Sequence, residues 1–546
     1  MKTNNWFYGY CLLIVVGWIW VRTYHPNHLI AYSFASYAVA WALYRWPTRI
    51  KDETLASFFL YERKMPRREF VGTLVTTNIG FFSSVAFSCY LIATQGIGPA
   101  ILLVIAWVVG LLWFARSVPS MFPFFREGST IHEFIAVSYG KSDVQRRQLR
   151  FYSSTITFLL YLCSVGAEIK FTSDVFAGPT GLSTGWLAVL LSLAGVVYVS
   201  ISGYRGVVST DRLRFWAILL GVGALYYFIH VEFAMQALHF PAGYLGIKMM
   251  TIGNDPWQLF SLIVLLALYQ FCVMDMWERC IAIAKSHDFG NGGVEEKAQV
   301  IGGIRRMIAW SIIPFIVLFG AWYGIGILAV GQHWVDDMNG IVPELISRLG
   351  AFASTGLKGA ITESLVILCF TAAALSTIDG FIIAAVQTVI CDWMPTLTSA
   401  KKEWNQLDDV AAHNWLIIAR VLVVAVGAAA VGFAYMSFGI LSFWVGMYSL
   451  MLSFFPAVFL RVVHSDFARS STQIAVSIVS GASCALIAAI LGTFVLPTVW
   501  WLNDLPPILA VGVAMLVLAP PRIKTFHLFL LLVGGLGIFF MWRYHP

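Results

Sequence analysis

Charge is scarce in this chain. Asp, Glu, Lys and Arg make up 12% of its 546 residues, about half the ~25% usual in soluble proteins. That shortage excludes a soluble enzyme. Long polar stretches are scarce too. The longest lie near 118–149, 283–304 and 391–412 and leave no room for a soluble domain of any size. CxxC spacing is absent. Cys11, Cys89, Cys163, Cys272, Cys280, Cys369, Cys391 and Cys484 lie in or at the ends of apolar segments and read as small hydrophobes, neither a disulfide framework nor a zinc site. No Walker loop, HExxH, GxSxG or paired-carboxylate motif stands out, so neither ATP-driven pumping nor an embedded enzyme has a basis in the residues.

What the chain has instead is apolar surface. It is 59% hydrophobic and 15% aromatic, with a mean hydropathy of +0.78. That is too much apolar surface for disorder, and it argues for one large polytopic membrane unit. A bilayer core of about 30 Å takes about 20 apolar residues in a helix. Fifteen spans are predicted. The first two are near 5–22 and 28–46. Five follow near 70–93, 98–117, 150–173, 184–202 and 212–233. Five more lie near 257–280, 305–331, 357–390, 413–435 and 439–462. The last three lie near 472–494, 500–518 and 524–543. The first span is rich in Trp and Tyr, lacks a small-x-small cleavage site and runs into a second span. It reads as a retained helix rather than a signal peptide.

Basic residues orient the spans. With the N-terminus cytoplasmic, Arg22, Lys170, Lys248, Arg348, Lys358 and Arg543 fall outside, Arg420 lies within a span, and the other Lys and Arg fall inside. The inside clusters include Arg45, Arg49 and Lys51, then Arg63, Lys64, Arg67 and Arg68, then Arg146, Arg147 and Arg150. This asymmetry accounts for the net charge of +7 without invoking nucleic acid. The expected location is the cell membrane, multi-pass, in contact with lipid.

Polar residues inside spans are the informative ones, because a charge near the bilayer centre costs about 3 kcal/mol or more. Thr76, Thr77, Asn78, Gly80, Ser83 and Ser84 cluster in the first half of the span near 70–93. Two readings stand side by side. One is a discontinuous helix whose free carbonyls bind a cation. The other is a continuous helix whose hydroxyls bond back to their own carbonyls. In the span near 357–390, Ala373, Ser376, Thr377 and Gly380 share one face, with Asp379 beside it. Two hydroxyls and a carboxylate make a hard oxygen surface suited to a small hard cation. Asp211 reads by itself as a charge at the start of a span, complementing the helix dipole. Glu168 and Lys170 read as an interfacial pair. Arg420, one to two turns from the cytoplasmic end of its span, is placed to snorkel.

Six motifs in order resemble one family, the sodium:solute symporters, which include the animal sodium/glucose cotransporters. They are SFFLYERKMP (Ser57–Pro66), TTNIG (76–80), TIHEFIAVSYG (Thr130–Gly140), GYRGVVSTD (Gly203–Asp211), ERCIAIAKS (278–286) and LSTID (Leu375–Asp379), the last followed by Ile390-Cys391-Asp392. The resemblance covers residues 57–395. It implies an all-α polytopic membrane protein: two inverted five-helix repeats with discontinuous helices, about 15 transmembrane helices in all. The implied division is 1–56 as two peripheral helices, 57–233 as the leading loop and first repeat, 257–462 as the second repeat, and 472–546 as C-terminal peripheral helices.

Carried over from the family, sodium is held by carbonyls of Thr76, Ile79 and Ala373 and hydroxyls of Ser376 and Thr377. A second sodium, present in some members, maps to Asp211 and Asp379, although Gly380 stands where those members often have Ser. Sugar-transporting members use a Gln where Ser83 stands and an Asn-Gln pair where Val273-Met274 stand, which disfavours a hexose. Asn78, Ser83, Gln270 and Asp275 are the solute-binding candidates, Asp275 reading equally as an internal ion pair or a gate residue. The implied function is sodium-coupled import of a small organic solute, an amino acid or carboxylate rather than a sugar, with sodium as coupling ion and no other cofactor. The alternatives are proton coupling through Asp379 or Asp211, and a transporter-like sensor whose extra N-terminal helix contacts a partner protein.

Overall fold

The computed structural model of the chain describes residues 5–44, 53–235, 239–240, 256–286, 294–397, 407–436, 440–463, 469–495 and 500–518. Every regular element among these residues is helical. In chain order the main helices are α1 (Asn5–Tyr24), α2 (Leu29–Leu43), α3 (Leu55–Leu60), α4 (Arg67–Asn78), α5 (Phe87–Gln95), α6 (Ile97–Glu127), α7 (Ile131–Tyr139), α8 (Asp143–Thr180) and α9 (Thr184–Met235). They are followed by α10 (Pro256–Cys272), α11 (Met274–Ile283), α12 (Val294–Gly331), α13 (Ile341–Ser354), α14 (Leu357–Gln387), α15 (Asp409–Val431), α16 (Ile440–Leu452), α17 (Phe455–Val463), α18 (Ser471–Ile490) and α19 (Pro506–Leu518).

In lipid a helix satisfies its own backbone, so apolar side chains can point outward as well as inward. On α6, Leu102, Ile105, Val109 and Leu112 recur at helical spacing and are exposed; this is a face for acyl chains. Where helices begin in water, side chains take over the free N–H groups. Thr130, Ser142, Asp408 and Ser470 cap α7, α8, α15 and α18, and Ser470 closes a full capping box with Gln473.

Eight described helices are long and apolar enough to cross a membrane, or up to ten if each of two bent pairs counts as one span. Not all of the fifteen predicted spans enter this count, which is of the described residues. The spans near 184–202 and 212–233 follow one another directly within α9, of 52 residues. At 1.5 Å per residue that run far exceeds one bilayer, and it folds into two at Gly203, with φ 50 and ψ −154. A Cβ at Gly203 would lie 2.6 Å from the Phe58 carbonyl oxygen, so both backbone angle and space require glycine there. The span near 5–22 is met by the 20 residues of α1, the one near 500–518 by the 13 residues of α19, and the one near 28–46 by the 15 residues of α2. The span near 524–543 lies outside the described residues, as do Arg45, Arg49, Lys51, Lys248 and Arg543.

The most deeply buried span is α14, which packs most extensively on α9 and also on α8 and α2. Its Ala373-Ala374 and Ala384-Ala385 pairs, all fully buried, let neighbouring backbones approach closely. The polar residues that the sequence places on α14 are therefore held at the centre of the bundle.

Candidate functional site

The site begins where α4 stops. Asn78 is the last helical residue; Ile79 (φ −110, ψ 71) and Gly80 (φ −76, ψ 156) are extended. Helix resumes as a π turn at Phe81–Ala86 and continues into α5, bent by 65° from α4. Of the two sequence readings, the discontinuous helix is the one formed. The local residues explain how the break is tolerated. Asn78 Nδ2 donates to the Leu74 carbonyl at 2.8 Å, and Thr76 Oγ1 to the Gly72 carbonyl at 2.9 Å. These side chains bond back to carbonyls of the last turns of α4 and so secure the helix end at the break.

Gly80 is required by crowding. A Cβ there would meet Ser83 Oγ and lie 2.8 Å from Glu168 Oε2 and 3.0 Å from Thr377 Oγ1. Three oxygen-bearing side chains from α8, α14 and the π turn therefore converge on the break. Glu168 is fully buried, and its Oε1 accepts from the Phe81 N–H and, at 3.0 Å, from the Phe82 N–H. It is the acceptor for the free end of the resumed helix.

The α14 face meets the break as its spacing predicted. Thr377 Oγ1 donates to the Thr77 carbonyl at 3.3 Å, and Thr77 also packs on Gly380. Ser376 Oγ donates to Asp211 Oδ1 at 2.6 Å. Thr76, Ile79, Ala373, Ser376 and Thr377 are all fully buried. The carried-over sodium residues thus come from two segments that touch, at a place where backbone is free of helix.

Tertiary contacts set the surroundings of the other charged residues. Asp211 is not a charge at a helix start. It lies about two turns past the Gly203 break in α9, fully buried, and accepts from Thr73 Oγ1 at 2.7 Å, Thr77 Oγ1 at 3.3 Å and Ser376. Asp211 and Asp379, the second-sodium pair, already have a cation between them. Arg214 NH1 lies 2.6 Å from Asp379 Oδ2 and 3.7 Å from Asp211 Oδ1. Glu168 and Lys170 do not pair: Lys170 bridges to Asp174 at 2.7 Å, one helical turn on, while Glu168 turns inward. Arg420 is an anchor rather than a snorkel, bonding Glu53 at 2.7 Å and the Ser200 carbonyl at 3.1 Å.

A second interruption faces the first. Val273 (φ −78, ψ 126) separates α10 from α11. Directly after it, Asp275 is fully buried and paired with Arg279 at 3.0 Å. Asn78 Nδ2 reaches Asp275 Oδ2 at 3.4 Å, which links the two interruptions. Of the solute-binding candidates, Asn78 and Ser83 line a central cavity of about 40 Å³. Asp275 does not line it; it touches the lining only through Asn78 and stands mainly as an internal ion pair. Gln270 does not line it either, and its buried amide has no partner. The cavity is small against the ~300–1,000 Å³ of typical ligand sites, so this conformation is closed around its centre.

Sequence reasoning missed three features. Arg214 was hidden among topogenic basic residues, although its i, i+3 spacing from Asp211 was a signal. Glu168 was discounted because Lys170 stood close by. The aromatic lining gave no signal, since Trp107, Tyr269, Tyr323, Phe381, Trp444 and Tyr448 come from five separate helices.

Neither a family model nor a curated protein matches the chain. Solved structures do resemble it. A sodium-coupled sialic acid symporter, captured substrate-bound and outward-open, matches 91% of this chain and 98% of its own at a TM-score of 0.59 and 15% identity. A nucleobase-cation-symport-1 family transporter, closed around bromovinylhydantoin, matches 84% and 92% at 0.52 and 12%. A point mutant of the Eremococcus coleocola manganese transporter matches 85% and 97% at 0.52 and 11%. At these identities the likeness is one of fold. The chain is a multi-pass membrane protein with the fold of solute and ion transporters, and the proteins it resembles are transporters, not enzymes.

Proposed function

We propose that this protein is a sodium-coupled symporter that imports a small organic solute by alternating access. The observation that carries the reading is the contact between the broken helix at Ile79-Gly80 and the Ser376-Thr377 hydroxyls. Unwound carbonyls beside hydroxyls, buried at the centre of a bundle, form the kind of site in which transporters of this architecture hold a coupling ion. Sodium is held by Thr76, Ile79, Ala373, Ser376 and Thr377. It ties α4 to α14 and stabilises one orientation of the protein. The solute binds beside Asn78 and Ser83, and both leave on the cytoplasmic side. Residues 57–233 and 257–462 act as the two inverted repeats, with 1–56 and 472–546 peripheral and the N-terminus cytoplasmic. Sodium entry supplies the work, about 2.3 kcal/mol per charge per 100 mV of inward negative potential.

The Arg214 guanidinium between Asp211 and Asp379 supports one sodium per cycle rather than two. A tethered charge stands where the second ion would bind. The test is thermal stabilisation of purified protein in sodium against potassium, for the native chain and for Ser376→Ala. The expected result is stabilisation by sodium that Ser376→Ala weakens. Equal melting in both salts, with uptake that follows pH instead, would transfer the coupling to a proton. That second reading draws support from Asp379 Oδ1, which is buried without a partner.

A further inference from the structure

The half-helix that starts at Phe81 presents its N-terminus to the centre of the bundle. In broken-helix transporters such an end is free to receive an anionic group of the solute. Here it is already taken. The Phe81 and Phe82 N–H groups donate to Glu168 Oε1 from α8, so the protein supplies its own carboxylate at that position.

The cavity beside this carboxylate has a one-sided chemistry. Its described lining contains no charged side chain of either sign, so nothing there would compensate a solute carboxylate; Glu168 stands just behind the lining, where its Oε2 and the Ser83 Oγ converge on Gly80. The amide of Asn78 is committed to the Leu74 carbonyl and to Asp275. What the lining does offer is a continuous run of rings. Phe87 stacks on Trp444 at 4.2 Å, Trp444 contacts Tyr448 at 5.0 Å, Tyr448 contacts Tyr269 at 5.8 Å, and Tyr269 contacts Trp107 at 5.2 Å. Ring faces attract ammonium groups, more so where water is excluded.

Charge accounting points the same way. Five carboxyl groups, those of Glu168, Asp211, Asp275, Glu278 and Asp379, are buried around the two interruptions. Among the described residues of this cluster, the buried cations facing them are the guanidiniums of Arg214 and Arg279. Acidic groups outnumber basic ones in this cluster, so an added cation is accommodated there more readily than an added carboxylate.

We propose that the solute carries a basic nitrogen, and that Glu168, seated on the half-helix N-terminus, selects such amines against carboxylates. This rests on the symporter reading above and narrows its solute to organic amines that need no carboxylate.

The test compares matched pairs on the purified full-length protein in sodium and in potassium. Phenethylamine is set against hydrocinnamate, and putrescine against adipate, with choline as a quaternary probe. The readout is the concentration giving half-maximal thermal stabilisation. At least one amine is expected to stabilise in sodium, with its matched acid at least about tenfold weaker. In Glu168→Gln the amine should lose about tenfold or more, and the acid should gain, because the Phe81 and Phe82 N–H groups no longer face a charge. Glu168→Asp, which keeps the charge, should retain the amine-over-acid order. Stabilisation by an acid as strongly as by its amine in the native chain would overturn the proposal, as would stabilisation by none of the amines. So would amine affinity unchanged in Glu168→Gln. If sodium stabilises the native chain while the amines fail, the charge selection is wrong and the symporter reading stands. If sodium and potassium are equivalent, the sodium-coupled reading itself fails.

Discussion

Ser376 and Asp211 stand 165 residues apart in sequence, yet the Ser376 hydroxyl donates to Asp211 Oδ1 at 2.6 Å. The same carboxylate accepts from Thr73 at 2.7 Å. One carboxylate therefore joins α4, α9 and α14 at the level of the helix break. Removing any arm of this joint should loosen the proposed sodium site before it unfolds the protein.

Ser376→Ala and Thr377→Ala should each raise the sodium concentration for half-maximal stabilisation by about tenfold, the effect of losing one hydroxyl near a charge. Ser376→Ala also deprives Asp211 of a donor, so it should be the less stable of the two. Sodium titrations followed by thermal unfolding measure both. Unchanged sodium dependence in both variants would remove the proposed ligand set.

Arg214→Gln should destabilise the folded protein by about 3–5 kcal/mol, because two buried carboxylates lose their shared cation. The double variant Arg214→Gln with Asp379→Asn should recover part of that loss, since one of the two buried, uncompensated carboxylates is removed with its partner. Chemical unfolding of the native chain, of Arg214→Gln, of Asp379→Asn and of the double variant gives the coupling. Additive losses would show that Arg214 and Asp379 do not act as a pair.

Gly80→Ala should cost about 1–3 kcal/mol, because its methyl group would lie 2.8 Å from Glu168 Oε2 and 3.0 Å from Thr377 Oγ1. The displaced groups belong to the ion and solute sites, so affinity for both should fall in protein that still elutes as a single species. A fully active Gly80→Ala protein would contradict the crowding at the break.

His132 lies on α7, a helix outside the membrane-crossing set, fully buried against Phe454. Burial, with a smaller contribution from the nearby Arg150 charge, pushes its imidazole down to about 3 from the usual 6.5. Between those values the unfolded chain binds a proton that the folded chain refuses. Stability from this group is therefore full above the ordinary histidine pKa and declines as pH falls, by about 2 kcal/mol near pH 5. His132→Phe should remove that part of the acid sensitivity. Unfolding free energies at neutral and acid pH, compared between the two proteins, check the difference.

The sequence by itself determined the class of molecule, because twenty-residue apolar runs have no other stable environment than lipid or a buried core. It also marked the polar stretch around Gly80, with a broken and a continuous helix both open, and the oxygen face on α14, since polar side chains inside apolar spans are costly and stand out. The six motifs placed those segments in a common architecture. Tertiary structure alone decided the charges. Arg214 and Lys170 look alike in sequence, two cations beside acids at helical spacing. Packing turns Arg214 inward, to within 2.6 Å of Asp379 on α14, and leaves Lys170 to Asp174 at its own surface. Glu168 likewise reads as one member of an i, i+2 pair until α8 is seen against the broken helix, where its carboxylate meets two free N–H groups. Spacing along one helix reports neighbours on that helix. The partner of a buried charge is set by whichever other helix packs against it, and no local pattern contains that information.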